Sequence, residues 1–254
     1  DQATGRVVPD SAITLELDSG LSQSGAISRI LWMRTLNFQI VCGTPSGIFT
    51  IQSNSLGDGL TAENAVARFQ DARGVSKVRP INVSDSLIFA HSTGRRVQGT
   101  YYKDNAYDRL GAQDLSLPSD TLITDAAKQM AWQDFPHGIV WLCLDDGNLL
   151  TLTLQPEEQV QGWFPQELGG VFNNGGRLEH PHVESVASIP SPDGKLNDLW
   201  MIVKRTINGA TKRYVEVLRP FRQQGEDLRN SWFVDSGLRY DGNDDEAKTL
   251  AFTI

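Results

Sequence analysis

The sequence predicts a mainly β fold, because one strand-turn-strand pattern occurs four times along the chain. In each copy an apolar strand runs into a tight turn that contains glycine, and a second strand follows. The copies span residues 38–51, 86–98, 138–154 and 198–217. A hairpin repeat of roughly 40–50 residues is typical of β-propeller blades, so we expect a propeller of about five blades. A β-sandwich of repeated hairpins is the alternative.

Length and composition set the domain organisation that we expect. The 254 residues suffice for one large all-β domain, and a hydrophobic content of 39% is typical of globular proteins. The sequence begins at Asp1 without a signal-peptide pattern. We therefore predict that residues 1–254 form a single β domain that is part of a longer chain. Residues 1–24 are a weakly patterned opening segment, and residues 220–254 are a connection toward a following domain.

Local patterns before residue 118 give one strand, one ambiguous segment and one connection. Residues 13–17 alternate apolar and polar side chains, which predicts a strand of period two. Residues 64–73 suit either a helix or a strand. Residues 101–117 are polar and aromatic, with several Asp, Asn and Gly, and favour a long connection.

One short helix is predicted near residues 119–132. Leu122, Ala126 and Met130 recur at helical spacing, and Ser119 or Asp120 is suited to cap the first turn. The helix should end near residue 132, ahead of a proline.

The second half of the chain carries the clearest hairpin signals. Asp146-Gly147 and Asn208-Gly209 each lie between two apolar runs, and these residues tolerate the positive φ angles of tight turns. Residues 168–179 are rich in glycine and asparagine and favour a loop. Further strands are predicted at 160–164, 183–189, 199–205, 213–218 and 232–234.

The charge distribution excludes a general nucleic-acid-binding surface. The net charge is −8, whereas phosphate binding needs clustered Lys and Arg. The densest basic group is Lys204, Arg205, Lys212 and Arg213, which we interpret as a solvated strand edge. No apolar stretch approaches the ~20 residues of a membrane helix.

Cysteine and tryptophan placement indicates core packing. Cys42 and Cys143 both lie inside apolar strands and are predicted to be small buried hydrophobes without a disulfide. Trp141 and Trp200 occupy matching places before their turns, which favours packing in the core over a sugar-stacking platform.

Three acidic or histidine-containing segments contain candidate site residues. His180, His182 and Glu184 alternate as zinc ligands on one strand face would, but a fourth ligand is not visible, and exposed loop histidines are favoured. The adjacent carboxylates of Asp145 and Asp146 are better explained by turn chemistry than by catalysis. Residues 241–246 resemble a calcium loop in composition only. We predict no catalytic, cofactor-binding or metal-binding residues, and no enzyme.

Several segments, taken together and in order, resemble tail proteins of tailed bacteriophages. Met130-Ala-Trp-Gln-Asp-Phe-Pro136 is one such segment. The others span residues 107–115, 139–153, 158–163, 184–190, 199–216 and 233–242. The likeness runs from about Ile30 to Gly242 and is to virion proteins of the nozzle or tail-tube type.

The resemblance implies a structural role in the virion. Such proteins carry a β-propeller at the distal end of short tails and assemble as a ring around the DNA channel. Expected partners are copies of the same chain, neighbouring tail proteins, and genomic DNA that passes without sequence-specific binding. The protein would be synthesised in the host cytoplasm and reside in the phage tail. Family members are far longer, and they offer no catalytic residues to transfer.

Two other functions remain as alternatives. A receptor- or carbohydrate-binding propeller module could stack sugars, including host-surface glycans, on Tyr101, Tyr102, Tyr107 and Trp163. A polysaccharide-cleaving enzyme would need convergent carboxylates, and no spacing in the sequence indicates them.

Overall fold

The computed structural model describes residues 12–15, 17, 29–54, 58–104, 109–155, 158, 160–218 and 225. Within these ranges the chain consists of antiparallel β-strands and one short 3-10 helix, Leu117–Leu122. The prediction of a mainly β fold is confirmed. No helix in the described ranges is long and apolar enough to cross a bilayer.

Sheets 1 and 2 are four-stranded meanders, in which each strand pairs with the next along the chain. Sheet 1 contains β1 (Trp32–Leu36), β2 (Gln39–Thr44), β3 (Gly47–Ser53) and β4 (Ala65–Asp71). Sheet 2 contains β5 (Ile81–Val83), β6 (Ser86–Ala90), β7 (Val97–Asp104) and β8 (Arg109–Asp114).

Sheet 3 repeats this arrangement, and sheet 4 repeats it with three strands. Sheet 3 contains β9 (Ala127–Gln133), β10 (Ile139–Leu144), β11 (Leu149–Gln155) and β12 (Val160–Gln166). A small hairpin of β13 (Phe172–Asn174) and β14 (Arg177–Glu179) follows. Sheet 4 contains β15 (His182–Pro190), β16 (Asn197–Ile207) and β17 (Ala210–Leu218).

All four predicted hairpins are present, as β2–β3, β6–β7, β10–β11 and β16–β17. In the last one Asn208 and Gly209 have φ angles of 50° and 76°, as a two-residue type I′ turn requires. In the third, Gly147 has a φ of 87° and lies so close to His182 that an added Cβ would meet its ring at 2.4 Å. Glycine there permits both the turn and the approach of sheet 4.

In the described part of the chain, three apolar cores lie between consecutive sheets. In the first, between sheets 1 and 2, the rings of Trp32 and Phe89 pack with centroids 6.0 Å apart. The second core joins sheets 2 and 3 and includes Ile88 and Leu142. The third core joins sheets 3 and 4 and includes Cys143. Sheets 2 and 3 therefore bury both of their faces, which requires apolar residues at successive positions along their strands.

The helix predicted near residues 119–132 is wrong over most of its length. The helical segment ends at Leu122, and Ala127–Gln133 is strand β9. A register shift opposite Cys143 and Leu144 leaves Lys128 as an extra residue, so Ala127 and Met130 face the same core three positions apart. Because of this β-bulge, the two core-facing residues have the three-residue spacing that is expected of a helix.

The predicted connection at residues 101–117 is also wrong, because β7 continues to Asp104 and β8 follows. β8 is the outer strand of its sheet. Its sequence is largely polar, which is why the sequence pattern favoured a connection. Gly111 leaves room for the Tyr101 ring, which an added Cβ would approach to 2.8 Å. The carboxylate of Asp71 accepts a bond from the Ala112 amide.

The remaining local predictions have mixed outcomes. The ambiguous segment 64–73 is a strand, and the loop predicted at 168–179 contains the β13–β14 hairpin. Residues 12–15 and 17 are irregular rather than a strand, and Ile13 is exposed. The strand predicted at 232–234 lies outside the described residues, as do most of 1–24 and 220–254.

We expect the substitution Leu142→Ala to lower the free energy of unfolding by about 2–5 kcal/mol, because it opens a cavity in the second core. Leu142 is fully buried, whereas Leu178 in the β13–β14 hairpin is 67% exposed. Leu178→Ala is therefore the matched control and should have little effect. Urea unfolding measures both. Equal losses in the two variants would contradict the assignment of this core.

Candidate functional site

The two histidines of the histidine-rich segment contact different carboxylates. His182 Nε2 lies 3.0 Å from Glu179 Oε2, and its ring packs on Phe172 with centroids 4.4 Å apart. His180 Nε2 instead lies 3.7 Å from Glu167 Oε2. The two imidazoles thus turn to different carboxylates. Among the described residues no three His, Cys, Asp or Glu side chains are grouped to hold a metal ion.

The basic group on sheet 4 differs from the predicted solvated edge. Arg205 is buried, and its guanidinium forms a two-point ion pair with Glu216 at 2.6 and 2.8 Å. It also donates to the Gly169 carbonyl, which ties the preceding loop to the sheet. Arg205 is therefore a structural cation. Sequence periodicity did not reveal it, because its partner Glu216 lies on a neighbouring strand.

The other residues of this group are more exposed. Arg213 forms an ion pair with Glu184, the third candidate zinc ligand named from the sequence. Its Nε lies 2.6 Å from Glu184 Oε2. The hydrogen bond from Arg213 lowers the pKa of Glu184 below its ordinary value. Lys204 Nζ lies 4.3 Å from the centre of the Phe172 ring, which is a cation–π contact.

The paired aspartates serve the β10–β11 turn, as predicted. Asp146 Oδ2 accepts a bond from Thr124 Oγ1 at 2.6 Å, and its Oδ1 accepts one from the Asn148 amide at 3.0 Å. The backbone amide of Asp145 donates to the Ala126 carbonyl. These contacts fix the turn beside the 3-10 helix.

The aromatic residues that could stack sugars differ in their exposure and contacts. Trp163 is buried and its Nε1 donates to the Leu115 carbonyl at 2.8 Å, so its assignment as a stacking residue is wrong. Tyr102 Oη accepts a bond from Asn37. Tyr101 is 41% exposed, and Tyr107 lies outside the described residues.

The tryptophans before the third and fourth turns are not equivalent. Trp141 is buried in the third core and its Nε1 donates to Gln133 Oε1 at 2.9 Å. Trp200 is 39% exposed, which corrects the prediction that both are core residues. Leu199 and Met201, on either side of Trp200 in β16, face the third core. Because successive strand residues point to opposite faces, Trp200 points away from sheet 3.

Trp200 belongs to an apolar surface that we call the outer face of sheet 4. Strand register places Ala187 and Val217 opposite Trp200, and Val215 opposite Ile202. Opposed residues share a face. Val215 is 71% exposed. The signal of this face in the sequence is that the successive residues 199–203 are all apolar.

Sheet 1 also carries apolar side chains on its face away from sheet 2, where Met33 is exposed and Cys42 and Phe49 are buried. Met33, Cys42, Phe49 and Phe69 lie opposite one another across its four strands. Phe49 and Phe69 pack edge to face with centroids 5.3 Å apart, and Met33 is exposed. The first and last sheets thus each carry apolar side chains away from the cores.

Two open cavities lie at sheet edges. One, of about 370 Å³, is lined by Arg68, Phe69, Gln70 and Arg109 on the outer strands β4 and β8. The other, of about 190 Å³, lies beside the Asp146-Gly147 turn, with His180 and Glu167 in its lining. Neither lining brings two carboxylates together.

A scan against protein-family models and a search of curated proteins found no match for the chain.

We predict that the Cys42 and Cys143 thiols react with a thiol reagent such as DTNB only on unfolding. Both are buried and free, and burial raises their pKa to about 11 and about 12 from an ordinary value of 9.0. Each thiol has a higher pKa in the folded protein than in the unfolded chain, so its deprotonation favours unfolding. The contribution of the neutral thiols to the free energy of unfolding is therefore complete below about pH 9 and is lost as the pH rises further. Rapid labelling of the folded protein near neutral pH would contradict the placement of these thiols.

We expect Glu216→Gln to destabilise the protein by about 3 kcal/mol, because it leaves the buried Arg205 guanidinium without a counter-charge. Glu184→Gln is the matched control. Its partner Arg213 has a side chain that is 62% exposed, so the change in stability should be small. Thermal and urea unfolding measure both variants, and similar losses would show that Arg205 is solvated.

Proposed function

We propose that the protein is a structural subunit of a bacteriophage tail, of the nozzle or tail-tube type, that surrounds the DNA channel. The observation that carries this proposal is the succession of four antiparallel meanders, each packed on the next in chain order. The segments that resemble tail proteins include most of sheets 3 and 4. Repeated stacked sheets are a scaffold, and the side chains of Asp146, His182 and Trp163 serve a turn, a contact with Glu179 and a core, respectively.

The architecture that we propose is a β-propeller of about five blades. The four sheets begin at Trp32, Ile81, Ala127 and His182, which is a period of about 50 residues. Sheets 2 and 3 are covered on both faces, unlike the sheets of a two-layer sandwich. One further sheet between the outer faces of sheets 1 and 4 would bury both and close the ring.

The proposed partners are copies of the same chain and neighbouring tail proteins. A heterologous contact repeated around an axis generates a closed ring, as a tail channel needs. The net charge of −8 favours an acidic channel wall, which would repel the DNA phosphates and let the genome slide. A basic channel lining in the assembled ring would contradict this mechanism.

The experiment that tests the tail role is to measure the mass of the purified protein by light scattering across a wide concentration series, with negative-stain electron microscopy of the same samples. We expect ring-shaped particles with an axial channel. A strict monomer at every concentration would contradict a self-assembling subunit.

A glycan array run in parallel tests the carbohydrate-binding alternative. Binding that is lost in Tyr101→Ala and kept in Phe38→Ala, which alters another exposed aromatic residue, would favour that alternative over the tail role.

A further inference from the structure

The cavity beside the Asp146-Gly147 turn has the size and lining of a site for a small ligand. Its volume is about 190 Å³, which corresponds to roughly six water molecules at about 30 Å³ each. It is bordered by the end of the 3-10 helix, the β10–β11 turn, the end of β12 and the segment that leads to sheet 4. Four separate parts of the chain thus meet around one small space.

One wall of this cavity is apolar and belongs to the cores of the fold. Leu149, Leu150 and Pro181 line the cavity and are buried. Leu122 and Leu168 also line it and are half-buried. Leu150 is part of the second core and Leu149 of the third, so this wall keeps its shape whether or not a ligand is bound. A ligand that fits must therefore carry an alkyl portion.

The polar side of the cavity is suited to offer hydrogen-bond acceptors. Asn148 Nδ2 donates to Thr124 Oγ1 at 3.2 Å and to Asp146 Oδ2 at 2.9 Å. Both amide hydrogens of Asn148 are thus used, and its oxygen is the side-chain atom that can bond to a ligand. Gln166 Nε2 donates to Thr151 Oγ1 at 3.2 Å. Because Asn148 and Gln166 both line the cavity, each can offer it an amide oxygen.

The cavity is also negatively charged. Among the described residues that line it, Glu167 is the one carboxylate, and there is no lysine or arginine. Glu167 Oε2 lies 3.7 Å from His180 Nε2, which is longer than a hydrogen bond, so the carboxylate can accept a bond from a ligand. Asp146 adds a negative charge at the adjacent turn. Arg205, which binds the loop after Glu167, is paired with Glu216.

We propose that this cavity binds a primary ammonium group on a short alkyl chain. The alkyl chain packs on the leucine and proline side chains. The ammonium, which has three donors and no acceptor, bonds to Glu167 and to the amide oxygens of Asn148 and Gln166. The negative charge disfavours anions, and a neutral sugar would gain no Coulombic attraction from it. This inference goes beyond the tail role, and its test does not require a ring.

Two sources can supply this chemistry. One is a free small amine, and the cavity volume limits it to about the size of n-butylammonium. The other is a lysine side chain of a partner protein, which carries the same ammonium on an alkyl chain of the same length.

NMR titration of the full chain with n-butylammonium chloride, near neutral pH and at fixed ionic strength, tests the proposal. We expect saturable shifts of the backbone amides of Asn148, Gln166 and Glu167. n-Butanol has the same alkyl chain without the charge and should bind about fivefold more weakly or less. Methyl glucoside should not compete. Equal binding of n-butanol, competition by the sugar, or shifts that do not saturate would each overturn the proposal.

Two exposed positions allow variants that place the ligand in this cavity. Glu167→Gln removes the charge and should weaken n-butylammonium binding by about three- to fivefold, as expected for an exposed ion pair, with n-butanol binding unchanged. Thr121→Phe adds a ring at an exposed position of the 3-10 helix that lines the cavity and should abolish binding of both compounds.

The matched control is Glu63→Gln, which removes an exposed carboxylate from the connection before β4. It should leave the affinity for n-butylammonium unchanged. An unchanged affinity in Glu167→Gln or in Thr121→Phe would overturn the assignment of the ligand to this cavity, and so would an equal loss in Glu63→Gln.

The blocked peptide N-acetyl-glycyl-lysyl-glycine amide, titrated in the same way, identifies the source of the ammonium group. An affinity equal to that of n-butylammonium, lost in Thr121→Phe, supports a lysine side chain of a partner protein. Binding of n-butylammonium without binding of the peptide supports a free small amine. Binding of neither compound would overturn the proposal.

Discussion

The structure depends on the requirement that its inner sheets be apolar on both faces. Sheet 3 contributes Leu142 to the second core and Trp141 and Cys143 to the third, so three successive residues of β10 are all buried. A sheet of this kind is stable only with a neighbour on each side. The stack of sheets is therefore one cooperative arrangement, because removing any sheet would expose apolar faces of those beside it.

Polar contacts then fix how the sheets meet at their ends. The Val183 amide donates to the Gly147 carbonyl, and the Cys143 thiol donates to the Val183 carbonyl at 2.9 Å. Gln129 reaches from β9 to the Val186 carbonyl and to Ser185. These bonds satisfy buried backbone groups that would otherwise be costly, and they hold sheet 4 in one register against sheet 3.

The same requirement bears on function. The tail role that we propose rests on this stack of sheets, whose end sheets carry apolar side chains on the faces away from the three cores. The buried Arg205, the paired His182 and the turn carboxylate of Asp146 all serve the scaffold. Each of these groups has a structural partner.

Local signals in the sequence determined the four hairpins, because the geometry of a tight turn depends on a few adjacent residues such as Asn208-Gly209. They also determined the burial of Cys42 and Cys143, since each lies in an apolar run. Only the tertiary structure decided that Ala127 and Met130 belong to a bulged strand, that Trp200 faces outward while Trp141 is buried, and that Arg205 is an internal cation. The bulge depends on how β9 pairs with β10, and the direction of Trp200 depends on which residues of β16 face sheet 3. The role of Arg205 depends on the carboxylate of Glu216 in β17. Short-range patterns do not encode such pairings.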